Sequence, residues 1–193
     1  MTTIYWARHG EYQNPNNVNP FRLTGFPLNQ KGKQQSEQIA NYLLDKKISA
    51  VYSSSILRCK QTSRIISKKL HLKPKYSKLI LETNSPLKGS PKTRLTNWWA
   101  ETLQHPFHLK HGGETLEDIF SRVNKFFQAI LKRHQNQNVL VVSHGEPTMI
   151  LVYHLVDNNH KKYFEQSKPN ISKGGLVQFK FKGNQLTDFK QII

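Results

Sequence analysis

Two histidines stand at the ends of apolar runs, and a glycine follows each. Ile4-Tyr5-Trp6-Ala7 leads into Arg8-His9-Gly10, and Val139-Leu140-Val141-Val142 leads into Ser143-His144-Gly145. Short apolar runs bounded by turn signals read as buried strands, and the glycine lets the backbone turn sharply. In an open α/β sheet, ligands bind at the carboxyl ends of the strands. One imidazole at such an edge is ordinarily structural. Two, one of them beside an arginine, point to chemistry on an anion. Glu11 and Glu146 each follow a His-Gly pair, which raises the question of a metal site. The spacing lacks a helical histidine pair or a third-ligand pattern, so neither a metal nor another cofactor is expected.

The elements that must position these residues alternate. A strand over about 3–8 precedes a polar loop, 10–28, and Asn29 is placed to cap a helix over about 30–46. Ile39, Leu43 and Leu44 fall on one face of it. Ser49–Ser53 reads as a short buried strand, with Ser54 capping a helix whose apolar positions include Ile56, Ile65, Ile66 and Leu70. Tyr76–Leu81 reads as a third strand. The segment 83–112, with Pro86, Pro91 and Pro106, reads as an irregular insertion with a short helix around Trp98 and Trp99. Thr115-Leu116-Glu117-Asp118 has capping-box spacing, with Asp in the place of Glu. The helix it opens runs to about 134 and buries Ile119, Val123, Phe126, Phe127 and Ile130. A strand over 138–143 follows, then a helix from about 147 with Pro147 in its first turn. Val177, Phe179 and Phe181 alternate with polar residues, and Gly183-Asn184 marks a hairpin before 185–191. This order predicts one α/β domain over 1–193, a three-layer fold with a mostly parallel sheet and helices on both faces.

Bulk properties bound the class. A chain of 193 residues is long enough for one buried core. No apolar stretch approaches the ~20 residues a bilayer span needs. Met1-Thr2-Thr3 starts directly on a strand-like run, so a signal peptide is not expected. Cys59 is the only cysteine, which excludes an internal disulfide framework and a thiolate metal cluster and favours the cytoplasm. Beside Arg58 it reads as a small buried side chain. The formal net charge is +17, and from Lys31 to Lys78 the only acids are Glu37 and Asp45. Such a field attracts phosphorylated ligands and polyanions. Without an aromatic-basic recognition motif, any nucleic-acid binding is expected to be non-specific and salt-dependent.

A series of motifs in register resembles the histidine phosphatase superfamily, the phosphoglycerate mutase-like proteins, over nearly the whole chain. Arg8-His9-Gly10-Glu11 resembles the nucleophile motif, and Arg22-Leu23-Thr24-Gly25 with Pro27-Leu28 and Gly32 the loop and first-helix entry. Tyr52-Ser53-Ser54, Arg58 and Gln61-Thr62 resemble the second motif, and Leu81-Glu82 followed by Gly89 the acid-bearing strand end. Gly113-Glu114-Thr115-Leu116 is similar to a helix start of the family, and Val142-Ser143-His144-Gly145 to its second-histidine motif.

The resemblance implies a phosphoglycerate mutase-like fold and a phosphoryl-transfer site that needs no metal. His9 would attack phosphorus and form a phosphohistidine. Arg8, Arg58 and His144 would surround the phosphoryl oxygens, and Glu82 would protonate the leaving group, with His144 counted among the catalytic residues. Arg22, Gly145 and Asn14 would be candidate substrate contacts. Physical chemistry suits these roles. Phosphoryl transfer is catalysed mainly by positioning and fixed positive charge. Arginine stays charged and binds two oxygens at once. A histidine nucleophile must be neutral at the attacking nitrogen.

Two departures stand out. Many members carry Thr and Asn three and six residues after the nucleophile; here the positions hold Tyr12 and Pro15, with Asn14 adjacent. The mutases carry a longer Tyr-Gly-rich insertion after the acid, where this chain has Thr83-Asn84-Ser85-Pro86. That favours a phosphatase over a phosphoglycerate mutase. Intact His9, Arg58, Glu82 and His144 argue against a degenerate module that only binds a phosphoprotein or nucleic acid. The expected partner is a small phosphorylated substrate, with a phosphoprotein as the alternative. Trp98, Trp99, Phe107 and His108 in the insertion are candidates for reading the leaving group.

Overall fold

A computed structural model describes residues 1–92, 103, 110–165 and 170–193. The strands are β1 (Thr2–Arg8), β2 (Ile48–Ser54), β3 (Pro74–Ser77), β4 (Asn138–Ser143), β5 (Leu176–Lys182) and β6 (Gln185–Gln191). The helices are α1 (Gln30–Leu43), α2 (Leu57–Lys69), α3 (Leu116–Arg133) and α4 (Gly145–Asp157), with 3-10 turns at Lys78–Ile80 and His160–Glu165. The six strands form one sheet in the order β3-β2-β4-β1-β5-β6. The first four are mutually parallel, β5 runs antiparallel to β1, and β6 reverses again.

The two-residue period of the strands separates the core into two layers. Ile4 and Trp6 of β1 pack with α3 and α4, whereas Tyr5 and Ala7 pack with α1 and α2. The helix after β1 therefore covers one face and the helix after β4 the other. β1 and β4 are neighbours, so their carboxyl ends flank a topological switch point, where α/β sheets open a crevice. Trp6 Nε1, fully buried, donates to Thr148 Oγ1 at 3.0 Å and ties α4 to β1.

Several local signals act as expected. Asn29 caps α1 by accepting from Gly32 N. Thr115 and Asp118 form a full capping box at α3. Gly183-Asn184 turns the β5–β6 hairpin. Elsewhere the structure corrects the reading. α1 ends at Leu43, and Leu44 lies past its last turn with 54% of its surface exposed. Ser54 is the last residue of β2, and the cap position of α2 falls to Ile56, which makes no side-chain capping bond. The third strand lies earlier, at Pro74–Ser77, because the chain coils into a 3-10 turn at Lys78. α4 begins at Gly145, directly after His144, two residues before Pro147. Trp98, Trp99, Phe107 and His108 lie outside the described residues, as does the helix expected around the tryptophans.

Candidate active site

The register of β1 and β4 pairs Arg8 with Ser143, and His9 N donates to Ser143 O at 3.0 Å. Both histidines therefore leave the sheet together, and their rings lie 5.2 Å apart. His9 Nδ1 is 2.9 Å from the carbonyl oxygen of Gly10. A carbonyl only accepts, so Nδ1 carries the proton. Nε2 then holds the lone pair, and Arg58 Nε donates to it at 3.0 Å. Burial, followed by the Arg58 charge, holds the His9 pKa well below the usual histidine range. The result is a neutral imidazole whose unprotonated nitrogen is defined.

Arg58 projects from the first turn of α2 and is 1% exposed. Its Nη2 donates to Phe21 O at 2.8 Å and meets His144 Nδ1 at 3.1 Å. Its Nη1 is buried with no partner among the described residues, and so is Arg8 Nε. Buried donors of this kind are costly unless an acceptor reaches them. Arg8 is held by Nη1, which donates to Ile171 O at 2.7 Å. Gly145 packs on the Arg8 guanidinium so closely that a Cβ would lie 2.9 Å from Arg8 Cζ.

Glu82 follows the 3-10 turn on irregular backbone, and a polar clamp fixes it. Arg22 Nε donates to Glu82 O at 2.6 Å, and Arg122 Nη1 donates to Leu79 O and Leu81 O. Glu114 pairs with both arginines, at 2.6 Å to Arg22 and 2.9 Å to Arg122. Ser143 Oγ donates to Ile80 O at 3.0 Å and anchors the turn to the end of β4. The Glu82 carboxyl lies 3.6 Å from Arg58 Nη2 and 3.5 Å from His144 Nδ1. Its pKa is raised well above the usual carboxyl value, first by burial and then by Glu146; the Arg58 charge opposes this without prevailing. His144 is fully buried, with Nε2 at 2.8 Å from Ser54 Oγ. Burial and Arg58 keep its pKa well below the usual range as well. Cys59 is buried against His144, and desolvation pushes its thiol pKa up.

Arg8, His9, Arg58 and Glu82 line one cavity of about 120 Å³, together with Tyr12, Asn19, Pro20, Phe21, Lys92 and Glu146. His144 sits behind this wall, against Arg58 and Glu82. Three candidate substrate contacts do not reach the cavity. Both ends of the Asn14 amide bond to Val18 and hold the loop. Arg22 grips the Glu82 carbonyl and Glu114. Gly145 supports Arg8. Tyr12, standing where the family has Thr, forms part of the wall with its ring 5.5 Å from that of His9. Asn19, Lys92 and the contact of Glu146 with Glu82 were not singled out by sequence, because loop packing brings them in from distant positions. Thr62 of the second motif accepts from Gly10 N at 3.1 Å and fixes the His9 turn.

His9, Glu82 and His144 offer ligand atoms within 4.8 Å of one another, a geometry that could attract a metal. The Arg58 guanidinium bonds to both imidazoles and takes the lone pair of His9 Nε2. A cationic guanidinium among these ligand atoms repels a metal ion and attracts an anion.

Residues 4–188 match the model of the Histidine phosphatase superfamily (branch 1). Phosphoserine phosphatase 1 of Hydrogenobacter thermophilus is 27% identical over 180 residues, which is 89% of this chain and 84% of its own. Among solved structures, Bacillus stearothermophilus YhfR shares the fold with a TM-score of 0.81 at 23% identity, over 97% of this chain and 95% of its own. The alpha-ribazole phosphatase from Shigella flexneri does so with a TM-score of 0.79 at 21% identity, over 96% and 93%.

Proposed function

The chain belongs to the histidine phosphatase superfamily and is a phosphatase; we propose that it hydrolyses small phosphomonoesters without a metal, through a phosphohistidine on His9. The observation that carries this reading is the neutral His9 with its Nε2 lone pair at a cavity where two arginines present unpartnered N–H groups.

In the first half-reaction, His9 Nε2 donates its lone pair to phosphorus. The P–O bond to the leaving group breaks, and its electron pair takes the proton of Glu82. Arg8 and Arg58 hold the phosphoryl oxygens, where charge is spread in the transition state. An oxygen that engages Arg58 draws the guanidinium off the His9 lone pair and frees it for attack. His144 backs Arg58 from behind the cavity wall and holds its guanidinium in place. In the second half-reaction, water attacks the phosphohistidine, its proton passes to Glu82, and the N–P electron pair returns to His9.

A cavity of about 120 Å³ suits a small phosphorylated molecule better than a folded phosphoprotein. Residues 1–193 then act as one catalytic domain, with the insertion at about 83–112 contributing Lys92 to the wall. No helix among the described residues is long and apolar enough to cross a membrane. The single cysteine suits a reducing compartment, and we assign the enzyme to the cytoplasm.

Turnover of p-nitrophenyl phosphate with excess EDTA and then with vanadate tests this proposal. Activity is expected to survive the chelator and to be inhibited by vanadate. Loss on chelation, restored by a divalent ion, would establish a metal-dependent site instead.

A further inference from the structure

Glu146 and Glu82 line the same small cavity, and Glu146 acts directly on the Glu82 carboxyl, favouring its protonated form. Two carboxyls brought together in one small cavity resist ionising together, and a carboxylate can only accept a hydrogen bond, so one proton held between them relieves the repulsion. Among the described residues, Glu146 makes no ion pair that would explain its place. It is the second residue of α4, where the helix dipole favours an anion. We propose that Glu146 is the positioning partner of Glu82: the two carboxyls share one proton, and the sharing keeps Glu82 protonated where a lone glutamic acid would be ionised. This rests on the phosphohistidine reading above, with Glu82 as the acid.

The groups around the pair come from several elements. Arg8 of β1 and Arg58 of α2 favour ionisation of Glu82. His144 lies 3.5 Å away at the end of β4. Tyr12 and Tyr163 face it from the loop after β1 and the 160–165 turn. Arg122 of α3 reaches the Glu82 carbonyl. Burial and the second carboxylate oppose the arginines and outweigh them. The arrangement solves a charge problem. Two ionised carboxylates would repel an incoming phosphate dianion, whereas a singly protonated pair repels it less and carries the proton that the departing alkoxide needs. When the P–O bond breaks, that proton leaves with the alcohol. When water attacks the phosphohistidine, one water proton returns to the pair, and the cycle closes without a further acid or base.

The test compares Glu146→Gln with the wild type across pH on an alkyl phosphate and on p-nitrophenyl phosphate. Gln cannot hold the second negative charge, so Glu82 should ionise at lower pH. The basic limb of the alkyl-phosphate profile is expected to move down by about one pH unit, which lowers turnover about tenfold on that limb. Turnover at the acid end and the basic limb for p-nitrophenyl phosphate should change little. An unmoved basic limb, or an equal loss at every pH on both substrates, would overturn the proposal. Glu82→Gln run in parallel separates the two readings. If it spares alkyl-phosphate turnover, the acid assignment itself fails. If it does not, and the Glu146→Gln limb stays put, only the shared proton fails. Infrared detection of a protonated carboxyl gives a readout that needs no turnover. The band should persist at neutral pH in the wild type, vanish in Glu82→Gln and titrate at lower pH in Glu146→Gln. Its absence from the wild type would overturn the proposal.

Discussion

At the scale of single residues, the proposed mechanism depends on protonation states that are fixed before a substrate arrives. The Gly10 carbonyl selects the His9 tautomer, Arg58 marks the free nitrogen, and burial keeps the ring neutral. Burial acts in the opposite sense on a carboxyl and favours the protonated form of Glu82. A general acid matters in proportion to how badly the leaving group needs a proton. Glu82→Gln should therefore lose about 10²-fold or more on alkyl phosphates and far less on p-nitrophenyl phosphate. Equal losses on both would show a binding or structural role for Glu82. These residues differed in how readable they were. His9 and His144 were legible because each ends an apolar run before a glycine. Arg58 and Glu82 emerged only through the family motifs, since one Arg in a basic helix and one acid after a strand have bland readings. Asn14 misled because a polar loop residue can satisfy its own backbone as easily as a ligand, and here it bonds twice to Val18.

At the scale of elements, the first turn of α1 presses on the loop that carries His9. A Cβ on Gly32 would lie 1.9 Å from Glu11 O, and one on Gly10 would lie 2.4 Å from Gly32 O. Glycine is required at both positions by backbone approach. Gly32→Ala should push the His9 turn away from Thr62, lower turnover, and destabilise the fold by about 1–3 kcal/mol, as overpacking commonly does. Denaturant unfolding together with steady-state kinetics checks both effects. A variant with unchanged stability and activity would mean that the close approach is not needed. The capped and periodic elements were readable because their signals are local: Asn29 before α1, Thr115 with Asp118 at α3, and the Gly183-Asn184 turn. The third strand and the start of α4 were misplaced because tertiary bonds set their ends. Ser143 Oγ pulls on Ile80 O, and α4 starts on His144 itself. The clamp of Arg22, Glu114 and Arg122 joins residues far apart in the chain, which no local pattern records.

At the scale of the molecule, the same burial that tunes the site makes stability depend on pH. His9 and His144 have folded pKa values lowered from 6.5, so below that pH the unfolded chain binds protons that the folded one refuses. Stability is lost as pH falls from there towards their folded values, by up to about 1.4 kcal/mol per pH unit for each group. Glu82, raised from 4.5, acts in the opposite direction, so stability is lost as pH rises from 4.5 towards its folded value. Two histidines outweigh one carboxyl in the shared window. The thermal midpoint should therefore fall between pH 6.5 and 5, and His144→Asn should flatten the fall. An identical slope in that variant would mean that the histidines do not govern it. The net charge of +17 sets a background field that attracts anions of any kind at low salt.

The central claim is that His9 carries the phosphoryl group between the two half-reactions. Acid labile, base stable phosphate on the quenched enzyme, mapped to a peptide, tests it most directly. Wild-type protein mixed rapidly with substrate and quenched in base should carry phosphate on His9, and His9→Ala should carry none and turn over no substrate. Phosphate found on another residue, or full turnover in His9→Ala, would contradict the account.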